Sequence, residues 1–72
     1  METSIMETNI EKLQISLMDC SVWMLSNAGD VSKISIWYPS QHIKIEEKEN
    51  GQHTLTNLDT YDSKTIKVLR VV

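Results

Sequence analysis

With 72 residues, 40% of them hydrophobic and 24% charged, the chain has room for one domain, spanning 1–72, and too much apolar content to stay disordered. Its formal net charge of -3 argues against long duplex nucleic acid as a partner, because sequence-independent affinity for phosphate backbones comes from an excess of Lys and Arg. A single cysteine excludes an intrachain disulfide, no stretch approaches the roughly 20 apolar residues of a membrane helix, and Glu2 and Glu7 stand where a secretory signal would carry basic residues. A reducing, cytoplasmic location is expected, in the host cytoplasm if the protein is viral, with no membrane association.

The chain opens on Met-Glu-Thr-Ser-Ile followed by Met-Glu-Thr-Asn-Ile, a doublet too short to be the unit of a repeat architecture. Ser4 with Glu7, and Thr8 with Glu11, have capping-box spacing, in which a hydroxyl and a carboxylate three residues on satisfy free amides at a helix start. Residues 1–9 are therefore expected as a short helix or as a disordered tail. From Lys12 onward Leu13, Ile15 and Leu17 alternate with Gln14, Ser16 and Met18, which predicts a strand. The alternation breaks at Asp19 and resumes on the other parity at Val22 and Met24, so a bulge or bend is expected near Asp19 and Cys20. Trp23 falls in the apolar run Val22 to Leu25 and is expected in the core, and Ser26 to Asp30 supplies turn formers.

Between residues 33 and 46 the pattern predicts a hairpin turning at Pro39 and Ser40. Ile34 and Ile36 would face Ile45 and Ile43 on one side, with Trp37 opposite His42, Ser35 opposite Lys44 and Lys33 opposite Glu46 on the other. The next turn holds Asn50-Gly51. A three-residue loop with Gly51 in the left-handed region sets Leu55 opposite Ile45, whereas a two-residue loop would set it opposite Glu46, so the longer loop is expected. A polar stretch from Asn57 to Lys64 reads as turns, and Thr65 to Val72 as a last strand with Ile66 and Val68 on one face and Leu69 and Val71 on the other. The fold expected is mainly β, a small antiparallel sheet or barrel of about five strands. A last strand apolar on both faces wants both covered, either by closure into a barrel or by a second chain, and Val68, Leu69 and Val71 are the candidate interface of a homo-oligomer.

Catalytic chemistry finds little support. A nucleophilic Cys20 needs a neighbouring imidazole, neither His42 nor His53 lies near it in sequence, and the expectation is a small buried hydrophobe. His42, His53, Asp59 and Asp62 match no zinc or calcium spacing, and Gly29 and Gly51 are isolated turn glycines rather than a phosphate cradle. No metal or cofactor is expected. The feature that stands out is the outer face of the expected hairpin, Trp37, His42, Lys44, Lys33 and Ser35 with Tyr38 at the turn, where an aromatic beside cations suits a partner protein's hot spot or a stacked base. The expected function is that of a non-catalytic binding protein, an antagonist that occupies a partner protein's surface or sequesters a small ligand. Inhibitors encoded by phages and mobile elements share this size and lack of motif. The alternatives are a nucleotide or single-stranded oligonucleotide binder and a structural subunit of a larger assembly.

Overall fold

Alternating aliphatic residues build the strands, and their inward faces meet in one core. A computed structural model describes residues 1–61 and 65–71. Its strands are β1 (Glu2–Asn9), β2 (Gln14–Leu17), β3 (Val22–Leu25), β4 (His42–Glu47), β5 (His53–Asn57) and β6 (Thr65–Arg70), closed into an antiparallel barrel in the order β1-β2-β3-β6-β5-β4. The arrangement is two three-stranded meanders joined along two seams, β1 to β4 and β3 to β6. Ile5, Ile15, Leu17, Trp23, Ile43, Leu55, Ile66 and Val68 fill the interior. Closure brings the accessible surface to 4508 Å², against roughly 4600 Å² from the size scaling of folded monomers at this mass. The barrel therefore covers its own core without a second chain. No helix among the described residues is long and apolar enough to cross a membrane.

Two expectations about local structure give way. Residues 2–9 are a strand, not a helix or a tail: β1 pairs with β2 on one side and β4 on the other, around an irregularity between Ile5 and Glu7. Capping boxes satisfy a few amides, whereas the ladders engage residues 2–4 with β4 and residues 5 and 7–9 with β2, and Ile5 is buried. The bend near Asp19 and Cys20 is a complete chain reversal, the β2–β3 hairpin turn, with Cys20 at φ 71 and exposed instead of buried.

The largest correction concerns residues 28–41. After β3, Asn27 accepts a hydrogen bond from the Gly29 N–H at 2.9 Å and starts a 3-10 turn (Ala28–Asp30) that runs into a one-turn helix α1 (Val31–Ile34). Lys33 is thus helical, and Ile34, Ile36 and Trp37 do not pair with β4, whose neighbours are β1 and β5. The reason is a competition between two periods. As a strand, the segment would send Ile34 and Trp37 to opposite sides, leaving one of them in water. A helical turn, spacing them by three, puts both in the core, where Trp37 is 3% exposed, and leaves Ile36 outside. Burying an indole of 150–250 Å² is worth about 4 kcal/mol or more, against roughly 0.2–1 kcal/mol for each cross-strand pair given up.

Other expectations hold. The turn at Pro39 and Ser40 forms, with Gln41 N donating to Tyr38 O, although it leads into β4 and does not join two paired strands. The β4–β5 loop has three residues (Glu49–Gly51), Gly51 has φ +74, and Ile45 pairs with Leu55. In β6, Ile66 and Val68 point inward, Leu69 and the following Val71 outward, as their parity requires. Val72 and residues 62–64 lie outside the described residues.

Candidate binding pocket at the open end of the barrel

The two ends of the barrel are built differently. At one end, residues 26–41 cross from the β3/β6 seam to the β1/β4 seam: Ser26 N donates to Lys67 O, Lys33 Nζ reaches Thr65 O, and Ser40 N donates to Ile5 O. Because these seams are opposite each other in the strand order, the segment spans that end, and Ile34 and Trp37 stopper it. Asn57, fully buried at the same end, donates from Nδ2 to Gln41 Oε1 at 2.8 Å and accepts from the Asp59 N–H at 2.8 Å, tying the crossing segment to β5.

The other end is open. Inward-facing residues of β3, β4, β5 and β6 reach it as Trp23, Glu47, His53 and Arg70, and with Met1, Asp19 and Ile45 they line a pocket of about 430 Å³. Trp23, 1% exposed, is its floor. The guanidinium of Arg70 sits 5.5 Å from the Trp23 ring centroid, a cation–π distance, and the His53 ring lies 4.8 Å away, tilted at 54°. The β3–β6 register causes the first contact, since Trp23 and Arg70 are paired residues. The indole cannot turn freely, because its Nε1–H donates to Ser21 Oγ at 2.8 Å and that hydroxyl donates in turn to Asp19 Oδ1.

Electrostatics follow the same chain of contacts. The Ser21 hydroxyl holds the Asp19 carboxyl below its ordinary range; partial burial works against it, and the Ser21 N–H and the charge of Arg70 reinforce it. His53 donates from Nδ1 to Gly51 O at 3.1 Å, which turns Nε2 toward Glu47 Oε2 at 3.8 Å. The mouth thus sets the carboxylates of Asp19 and Glu47 and the guanidinium of Arg70 around an aromatic floor, with the His53 ring against it. Ser21, buried and engaged on both sides, is in no position to attack a substrate.

The residues expected to form a recognition face are dispersed. Trp37 faces the interior, so the outward indole expected between Lys33 and His42 does not exist; its ring is part of the stopper. Lys33, on α1, contacts Asp30 Oδ1 at 3.5 Å, and Ser35, just after α1, donates to Ser32 O at 2.7 Å. His42 and Lys44 share the outer face of β4, with Tyr38, 64% exposed, in the preceding turn. His42 gains a partner that the hairpin reading missed: Asp59 Oδ2 accepts from its N–H at 2.8 Å and its Nδ1 at 3.0 Å, which lowers the Asp59 pKa, the backbone bond contributing most. His53 is at the opposite end from this pair, and among the described residues no three His, Cys, Asp or Glu side chains converge as a metal site. Val68 is wholly buried in the core and takes no part in an outer surface, whereas Leu69 and Val71 are exposed. The mouth residues come from four strands, one turn and Met1, so no single stretch of sequence shows them together. Their one sequence signal is parity: Trp23, Glu47, His53 and Arg70 occupy inward positions at strand ends, where an aliphatic residue would otherwise continue the core. No protein-family model, curated protein or solved structure matches the chain.

Proposed function

We propose that this chain is a non-catalytic binding protein that engages the surface of a partner protein through the open mouth of its barrel. The observation that carries the reading is Arg70 stacked over a Trp23 whose ring is held by Ser21 and Asp19. Trp and Arg dominate the energetics of protein recognition, and a cluster already fixed in the free protein loses little side-chain entropy on binding. A pocket of about 430 Å³ takes one or two side chains of a partner, and donors and acceptors together on its rim suit a peptide surface better than a uniformly anionic ligand. An antagonist that blocks its partner's surface needs no more machinery than this.

Native mass spectrometry of the tagged protein isolated from its own host tests the reading. The wild type and Tyr38→Ala, altered at the stoppered end, should retain the same co-purified protein, and Arg70→Ala should lose it while melting within a few degrees of the wild type. Retention by Arg70→Ala, or a small molecule in place of a protein, would overturn it.

A further inference from the structure

A second cavity lies on the outer wall of the barrel. Leu55 points into the core, so its neighbour Thr54 points outward, between its paired residues Glu46 of β4 and Lys67 of β6. The β4–β5 loop stands beside this row, held by Lys48 N donating to Gln52 O at 2.6 Å and Gln52 N to Glu49 O at 3.3 Å. Lys48, Glu49, Gln52, Thr54 and Lys67 line a cavity of about 500 Å³, and none of them belongs to the mouth.

Two observations single this cavity out. Thr54 is 7% exposed, and among the described residues its Oγ1 has no hydrogen-bond partner. A buried hydroxyl in that state has given up water without recovering a bond, which is uncommon in native folds and favours any molecule that pairs with it. The second observation is an excess of donors. The two ammonium groups donate and never accept, and the hydroxyl and the Gln52 amide add further N–H and O–H groups. Lys48 Nζ lies 3.8 Å from Glu46 Oε2, whereas Lys67 makes no ion pair among the described residues. With two lysines and one glutamate the lining carries a net positive charge, against -3 for the whole chain.

We infer that this cavity binds a phosphate group. A donor-rich, cationic lining is completed by a ligand that accepts only and carries negative charge. Phosphate presents its oxygens in three dimensions, which suits a hydroxyl on the strand and ammonium groups arriving from β6 and from the loop; a carboxylate presents two in one plane. Lysines act here as point charges and need no fixed fork geometry. Lys48, Gln52 and Lys67 are exposed, and exposed side chains change rotamer within nanoseconds, so they can turn onto the ligand and uncover the hydroxyl. Glu49 opposes an anion and keeps the affinity low.

An NMR titration with inorganic phosphate, at about pH 7 and with ionic strength held near about 0.15 M by chloride, tests the inference. The amides of Thr54 and Lys67 should shift along saturable curves with a dissociation constant of about 1 mM, while those of Trp23 and Arg70 stay in place. Lys67→Ala should weaken binding at least about tenfold, and Glu49→Gln should tighten it about threefold. Thr54→Val should also lose at least about tenfold, yet melt at or above the wild-type temperature, because it removes a hydroxyl that the free protein leaves unpaired. Phosphate should raise the melting temperature of the wild type and not of Thr54→Val. Absence of a saturable shift, wild-type binding by Thr54→Val, or weaker binding by Glu49→Gln would overturn the inference. Glycerol 3-phosphate in a parallel titration separates the sources: tighter binding than inorganic phosphate assigns an esterified phosphate, weaker binding the free ion. Arg70→Ala should bind phosphate as the wild type does, so failure at the mouth and failure here are separately visible.

Discussion

The stoppered end and the open end are both organised around a tryptophan, and the two rings are treated in opposite ways. Trp37 enters the barrel from a crossing segment and is buried within the core cluster; Trp23 stands on a strand, with a guanidinium and an imidazole on the side that faces water. A ring enclosed on all sides contributes to stability alone. A ring whose polar cover could be exchanged for a partner's groups can contribute to recognition as well. The difference teaches that exposure of the aromatic itself is a poor guide to a binding site in a domain of this size: what covers the ring, and whether that cover is charged, is more informative.

The sharpest way to break this contrast is Trp37→Ala. If the ring is a stopper, removing it should cost about 3–5 kcal/mol, read as a fall in the urea midpoint, whereas Arg70→Ala should fall far less. Equal losses would mean that the ends do not differ as described. A smaller effect is expected at the open end from Ser21→Ala, which strips the buried Trp23 Nε1–H of its acceptor and leaves Asp19 only the backbone N–H of residue 21 as a donor from that position. A loss of about 1–3 kcal/mol is expected, with the Asp19 carboxyl titrating closer to its ordinary range by NMR.

The pH dependence carries its own sign. Asp19 has a depressed pKa in the fold, so its contribution is present above the unfolded value of about 4 and is lost as pH falls through the folded value. The stability gap between the wild type and Asp19→Asn should therefore narrow from about pH 7 to about pH 3. A gap that stays constant would mean that the carboxylate charge does no work at the mouth.

Much of the barrel was legible from alternation. The inward parities of β2, β5 and β6 and the three-residue loop at Gly51 follow from where Ile15, Leu55 and Ile66 must point. β4 shows where legibility stops. Its inward Ile43 is plain from alternation, but the nearest apolar run, Ile34 and Ile36, is not its partner: β1 and β5 are the strands that flank it. The spacing of Val31, Ile34 and Trp37 by threes was present beside the alternation of Ile34 and Ile36, and both are short enough to fit either period.

By itself, then, the amino-acid order determined what is local: the inward faces of β2, β5 and β6, the turn at Pro39 and the left-handed glycine at 51. Barrel closure, the recruitment of residues 2–9 as a strand, the stopper and the assembly of the mouth were decided by tertiary structure. The physical reason is that these features are set by burial summed over residues far apart in the chain. A segment such as 28–41, with two acceptable local conformations, adopts the one that encloses Trp37, because the rest of the molecule provides the cavity.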